Sequence, residues 1–142
     1  MAWIEAIRSR VGRWLAPRPL GQRGEAVAAR FLQRKGYKIV ARSLRDRLGE
    51  LDLVAVDKRT VVFVEVKTRT SHDAGAPADA IDANKQARMT RAALGYLKRH
   101  RLLANSARFD VVAVTWPDAK RRPTIEHIQN AFEASGEFQM YS

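Results

Sequence analysis

Cysteine is absent from this 142-residue sequence, and no apolar stretch approaches the length of a transmembrane helix. The lack of cysteine excludes disulfide bonds and thiol chemistry and fits a reducing compartment, so we expect a cytoplasmic protein. The three histidines share no ligand spacing, which argues against a zinc site. The sequence also lacks a secretory signal, a glycine-rich phosphate loop and a Ser-His-Asp arrangement.

Positive charge dominates the composition. Lysine and arginine total 26 against 15 acidic residues, which gives a net charge of +11. Such a balance favours a polyanionic partner, either nucleic acid or an anionic membrane surface. A chain of this length predicts one domain with a sizeable core.

Two strand-like segments, Glu50–Val56 and Val61–Lys67, predict an antiparallel hairpin. A turn of two residues and a turn of four residues give the same register, in which Asp52 lies directly across from Glu65. Side chains alternate between the two faces of a strand, so the polar groups of the hairpin gather at one end of one face.

The two faces of this hairpin differ in composition. The polar face carries Glu50, Asp52, Glu65 and Lys67 at one end, followed by Val54, Val56, Val61 and Phe63. The opposite face is wholly apolar and predicts a core: Leu51, Leu53, Ala55, Val62, Val64 and Val66.

Carboxylates that face each other across strands lie roughly 4.5–5.5 Å apart at Cβ and repel. Buried charge must be paired or bound to metal, and three acids with one lysine leave an excess of negative charge. Hard oxygen ligands of this kind suit Mg²⁺ or Mn²⁺. The alternative is a solvated sheet end in which Lys67 pairs with Glu65 and Glu50.

An acid on one strand followed by Glu-x-Lys on the next resembles the PD-(D/E)xK nuclease core of restriction enzymes and archaeal Holliday-junction resolvases. The chain resembles more closely the small bacterial YraN family, most of whose members have no known function. The matching stretches are Gly24-Glu25, Ala28, Leu32, Gly36-Tyr37, Gly49–Leu53, Val62–Arg69 and Arg108–Val114. Leu51 stands where the superfamily name has proline.

This resemblance implies a restriction-endonuclease-like α/β fold, with a mixed central sheet built on an antiparallel β-meander and flanked by helices. It implies that Asp52, Glu65 and the carbonyl of Val66 hold Mg²⁺ or Mn²⁺, while Lys67 activates water and steadies phosphate charge. Glu25 matches the acid that resolvase-like members carry on their first helix. The alternative for Glu25 is an ordinary acid in the first turn of a helix. The resolvase resemblance also implies a homodimer.

The expected activity is hydrolysis of DNA phosphodiester bonds, with DNA favoured over RNA and branched or single-stranded forms as candidate substrates. Arg69 lies in the polar stretch after Glu-x-Lys, and Arg88 lies on a basic helical ridge that begins at Lys85, so both are candidate nucleic-acid contacts. The family resemblance implies the same role for Lys85, because similar members carry a lysine at this place. A solvated helix face is the alternative for the ridge. A nucleic-acid-binding adaptor that keeps the fold but does not cut is the alternative function. We expect Asp110 to be satisfied by a backbone or arginine partner.

The sequence divides into a basic amphipathic helix and linker over residues 1–19, a nuclease-like domain over 20–132 and a frayed tail over 133–142. The first helix could pack on the domain, lie on a membrane, contact nucleic acid or dock on a partner protein. The remaining predicted elements are helices at Gln22–Lys35 and Ala78–His100, strands at Tyr37–Arg42, Ala107–Val114 and Thr124–Ile128, and a short helical turn at Asn130–Phe132.

Overall fold

The predicted hairpin forms the centre of a five-stranded sheet in the computed structural model, which describes residues 20–70, 81–117 and 122–134. The first part of the chain runs α1 (Leu20–Arg34), β1 (Lys38–Asp46), β2 (Gly49–Asp57) and β3 (Thr60–Arg69). The second part runs α2 (Ala83–Arg99), β4 (Ala107–Thr115) and β5 (Thr124–Phe132). The predicted amino-terminal helix over residues 1–15 and the end of the tail lie outside the described residues.

The strands lie in the order β1-β2-β3-β4-β5. All neighbours are antiparallel except β3 and β4, which are parallel and are joined through α2. A parallel pair needs a long crossover, and the helical segment between these strands supplies it. The predicted α/β fold is therefore confirmed: a mixed sheet with an antiparallel β1–β3 meander and a helix on each side.

The hairpin register is as the sequence predicts, with Val56 opposite Val61 and a two-residue turn at Lys58-Arg59. Side chains on the two faces enter two separate cores. The core on the α2 side contains Val54, Val56, Val61, Phe63, Met89, Ala92, Tyr96 and Leu97. The core on the α1 side contains Ala28, Ala29, Leu32, Leu53, Ala55, Val62, Val64 and Val66.

Leu51 departs from the predicted face, because it packs in the α2-side core rather than with Leu53. Its cross-strand neighbour Leu44 also packs against the α2-side core. The backbone of Ser43, which precedes Leu44, has a φ of 49°. This left-handed conformation interrupts the alternation of β1, so the end of the β1–β2 ribbon turns toward α2.

The helix ends follow local sequence signals. Gly36 has a φ of 97° after α1, as expected for a left-handed cap. Helix α2 begins at Ala83, later than predicted, because the side chain of Asp82 caps it by accepting a hydrogen bond from the Lys85 N–H. Ala83 itself is exposed.

Strand β5 extends to Phe132, so the predicted helical turn at Asn130–Phe132 is wrong. Asn130 has a φ of 51° beside a register shift in the β4–β5 ladder. Its backbone N–H donates to Asp110 Oδ1 at 3.0 Å, which satisfies the group that the irregularity frees. Neither helix in the described ranges is long and apolar enough to cross a bilayer.

Candidate active site

The candidate site lies where the two central strands separate. The β2–β3 ladder runs from the turn to Leu53 opposite Val64. Beyond that pair, β2 continues to pair with β1 and β3 continues to pair with β4. Asp52 is the first residue of β2 past the ladder, and its Oδ2 accepts a hydrogen bond from the Val66 N–H at 2.8 Å. At the start of the opening, the Asp52 side chain thus replaces a backbone carbonyl as the acceptor for the Val66 N–H.

Glu65 is the most buried acid of the candidate site. Its side chain is 9% exposed, and its Oε1 lies 3.2 Å from Nζ of Lys85 on α2. Burial and the nearby charge of Asp52 raise the pKa of Glu65 to about 7, although Lys85 and Lys67 both oppose the rise. The positive charge around this carboxyl is therefore insufficient to keep it fully ionised at neutral pH.

Asp52 and Glu65 behave as a pair. Burial raises the pKa of Asp52, against the lowering effects of the Val66 N–H, of Lys85 and of a hydrogen bond with Glu65. Two carboxyls that share one buried position retain a proton that isolated ones would lose. The side chains of these two acids therefore meet, although the β2–β3 ladder ends before them and they are not a ladder pair.

Glu25 reaches the same region from α1. Its Oε2 accepts a hydrogen bond from Ser43 Oγ at 2.7 Å. Burial raises the pKa of Glu25, and the charges of Asp52 and Glu50 add to the rise. Gly24 lets α1 come this close, because a Cβ at that position would overlap the Thr68 side chain on β3.

Glu50 does not pair with Lys67 as the solvated-end alternative requires. It forms an ion pair with Arg45 instead, at 3.2 Å between Oε2 and Nε, and both side chains are exposed. Lys67 is half-buried and acts on Glu65 through its charge. Its part in catalysis stays a prediction.

The candidate nucleic-acid contacts lie in two different places. Lys85 and Arg88 line a cavity of about 270 Å³ with Arg45, Asp46, Gly49, Glu50 and Met89. Arg69 ends β3, and its carbonyl accepts a hydrogen bond from the Trp116 N–H at 2.9 Å. Lys85 is mostly buried and forms an ion pair with Glu65 at 3.2 Å, so it does not lie on a fully solvated ridge.

A second, larger cavity of about 710 Å³ lies against α1. Four arginines line it, and no acid does so among the described residues: Arg30, Arg34, Arg42 and Arg122. This surface adds to the cationic character of the α1 side without including the acidic pair.

The metal prediction depends on the donor set at the opening. Among the described residues, no group of three or more His, Cys, Asp and Glu side chains is gathered closely enough to hold a metal ion. Asp52, Glu65 and the Val66 carbonyl offer only oxygen donors, which suit Mg²⁺ or Mn²⁺. Burial is the main cause that raises the pKa of both carboxyls, and a bound divalent cation would favour their ionised forms. With so few protein oxygens, such a cation would also keep water ligands.

Asp110 lies outside this site and matches its predicted structural role. It is fully buried and accepts hydrogen bonds from Arg108 Nε and from the Asn130 N–H, both at 3.0 Å. His127 Nε2 lies 2.8 Å from its Oδ2. These contacts hold its pKa below the ordinary value even though burial acts in the opposite direction.

Two contacts of the site were missed by the sequence reasoning. The Ser43 hydroxyl that holds Glu25 follows from an irregular φ that no local pattern indicates. The ion pair between Glu65 and Lys85 depends on how α2 is rotated on the sheet. The helical spacing of the basic ridge was the only available signal, and it placed Lys85 without revealing its partner.

Comparison with known proteins gives a family but no activity. The model of the uncharacterised protein family UPF0102 matches residues 24–114, which confirms the resemblance to the YraN family. A UPF0102 protein of Rhodopirellula baltica is 49% identical over 99% of this chain and 92% of its own length. UPF0102 proteins of Geobacter metallireducens and Geobacter sulfurreducens are 49% and 51% identical, each over 80% of this chain and over 92% and 88% of their own lengths.

Proposed function

We propose that this chain, which belongs to the uncharacterised protein family UPF0102, is a nuclease that hydrolyses DNA phosphodiester bonds with Mg²⁺ or Mn²⁺. One observation carries the proposal: the buried carboxyl of Glu65 and the partly buried carboxyl of Asp52 meet at a strand opening, and the pKa of both is raised. Perturbed acids gathered at an opening in a sheet are typical of catalytic sites.

Asp52 and Glu65 would each contribute a ligand to the cation. Asp52 is oriented by the Val66 N–H, and the Val66 carbonyl belongs to the same peptide run as Glu65. A divalent cation, when bound, would polarise the phosphate and lower the pKa of a coordinated water. Glu25 would ligate the cation directly or through water.

Lysines and arginines beside the pair would bind the phosphate and stabilise its charge. Lys67 lies two residues after Glu65 on the same side of β3, where its ammonium can orient the attacking water and stabilise the developing negative charge. Lys85, Arg88 and Arg69 would hold flanking phosphates. The net charge of +11 supports attraction of a polyanion, and single-stranded or branched DNA is the proposed substrate class.

The direct experiment compares DNA cleavage by wild type and Asp52→Asn with Mn²⁺ on duplex, single-stranded, flap and four-way substrates. We expect cleavage by wild type and none by Asp52→Asn, while DNA binding is retained or slightly stronger because one negative charge is lost. Glu126→Gln is the matched control, since it removes one exposed carboxylate from β5, at the opposite edge of the sheet from β1. Absence of cleavage on every substrate, or cleavage that survives Asp52→Asn, would refute the proposal.

A non-catalytic DNA-binding adaptor is the second candidate, and the Glu65–Lys85 ion pair favours it. In this arrangement a protein cation already neutralises the more buried acid. An adaptor would show salt-dependent DNA binding but no heat of Mn²⁺ binding in calorimetry. Mn²⁺ binding that disappears in Asp52→Asn would exclude it.

A further inference from the structure

The contact between Glu65 and Lys85 joins the proposed metal site to the neighbouring cavity. We propose that Lys85 is a displaceable counter-ion, which neutralises Glu65 in the metal-free protein and moves to a DNA phosphate when a divalent cation binds. This inference rests on the proposed function and adds a link between the binding of metal and the binding of substrate.

The two side chains of this ion pair differ in how far their charged groups can move. Glu65 lies within a strand that is paired with β4 along its length, and its side chain is 9% exposed. Lys85 lies in the first turn of α2, and its side chain is 28% exposed. A lysine carries its charge on a flexible four-carbon stem, so the ammonium can move while the carboxylate stays in place.

A cation bound between Asp52 and Glu65 would weaken the attraction that holds Lys85 in place. The ammonium lies 3.2 Å from Glu65 Oε1, one of the oxygens that the cation would need. A cation bound to the same carboxylate would repel the adjacent ammonium, and the repulsion is strong in a partly buried site. The cation would also neutralise Glu65 itself, so the attraction that holds Lys85 would fall at the same time.

The cavity of about 270 Å³ next to Lys85 offers the ammonium a new position. Its two acids already have arginine partners: Glu50 pairs with Arg45 at 3.2 Å, and Asp46 pairs with Arg99 at 3.1 Å. A released Lys85 would therefore meet no unpaired carboxylate among the residues that line the cavity. An anionic ligand such as a DNA phosphate would complete the charge balance there.

This exchange makes the two binding events cooperative. Metal would raise the affinity for a phosphate at the cavity because it frees Lys85, and the phosphate would raise the affinity for metal by the same factor. The metal-free protein would bind DNA with one fewer cation beside the acids.

Chemical labelling of lysine tests the exchange without any measurement of cleavage. The intact wild-type chain is acetylated briefly with an N-hydroxysuccinimide ester, with and without Mg²⁺, and each lysine is quantified by mass spectrometry. Lys58, exposed at the β2–β3 turn, serves as the internal reference. We expect Lys85 to react slowly without metal and several-fold faster with Mg²⁺, while Lys58 is unchanged.

Glu65→Gln is the informative variant, because it removes the charge that holds Lys85. Its Lys85 should react quickly with or without Mg²⁺, whereas Glu126→Gln should behave as wild type. If Glu65→Gln fails to fold, the wild-type Mg²⁺ titration still decides the question.

Calorimetric titration with Mg²⁺ separates the two possible failures. Metal binding with no change in Lys85 labelling overturns the exchange and leaves the nuclease proposal intact. Absence of metal binding overturns both. Rapid labelling of Lys85 in the metal-free wild type also overturns the exchange.

Discussion

Two regions of this protein bury carboxyl groups and shift their pKa values in opposite directions. Around Asp110, arginine, histidine and backbone donors converge, and its pKa is lowered in spite of full burial. Around Asp52 and Glu65, burial prevails over the available donors, and both pKa values are raised. The same sheet can thus fully satisfy a buried acid, so the raised pKa values at the strand opening are a local property of that site.

The partners of Asp110 explain its behaviour. Arg108 donates to Asp110 and also to Asp57 and to the Tyr37 hydroxyl, so its guanidinium ties β4 to the β2–β3 turn and to the residue before β1. Such networks rigidify a structure when every member is satisfied. Among the described residues, the Val66 N–H, Lys85 and Lys67 act on the acidic pair, and they do not offset the effect of burial on its pKa values.

The largest expected difference between the two regions is in stability. Asp110→Ala should lower the free energy of unfolding by about 3–5 kcal/mol, because it leaves Arg108 and His127 without their buried partner. Asp52→Asn should stay within about 1 kcal/mol of wild type or exceed it, since the amide oxygen still accepts from Val66 and the repulsion with Glu65 is gone. Urea denaturation at pH 7 measures both, and comparable losses for the two variants would contradict the contrast.

The pH dependence of stability should also differ in sign. The pKa of Glu65 is about 7 in the folded protein against an ordinary 4.5, so the folded state binds more protons between these values. Its contribution, up to about 3 kcal/mol, is present below pH 4.5 and is lost as the pH rises through 7. The lowered pKa of Asp110 acts in reverse, with stability present above its unfolded value and lost as the pH falls.

Denaturation of Glu65→Gln across pH 5 to 8 isolates the first of these contributions. The variant should show a flatter profile than wild type, and Glu126→Gln should keep the wild-type slope. A wild-type profile in Glu65→Gln would mean that Glu65 titrates normally.

A smaller effect is expected where α1 approaches the acidic pair. Gly24→Ala should cost about 1–3 kcal/mol, because the added Cβ overlaps Thr68. Gly21→Ala is the matched control: it meets nothing within 4 Å and should be neutral or slightly stabilising, since alanine favours helix. Thr68→Ala should recover part of the Gly24→Ala loss in a double-mutant cycle, and independent effects would contradict the close approach.

The sequence was sufficient for the centre of the fold because apolar alternation and turn length together specify a hairpin register. It placed Asp52 and Glu65 in one region for that reason. It failed at Leu51, which packs in the α2-side core where the β1–β2 ribbon bends beside the positive φ of Ser43. It also failed at Asn130, where a buried acid on β4 holds an irregular strand in place of a helical turn.

The ion pairs of the site were harder to predict from the sequence than its location. Pairing of Glu65 with Lys85 depends on the rotation of a helix against the sheet, which the spacing of charges along α2 does not determine. Pairing of Glu50 with Arg45, in place of Lys67, depends on the β1–β2 register. Contacts between elements distant in sequence decide both.

The most direct measurement is an NMR titration of the Glu65 side-chain carboxyl in wild type and in Asp52→Asn, without metal. We expect a wild-type midpoint of about 7 and a lower midpoint in the variant, because the charge of Asp52 is part of what raises the pKa. A midpoint near 4.5 that does not respond to Asp52→Asn would contradict the claim that the two carboxyls share one buried opening short of positive charge.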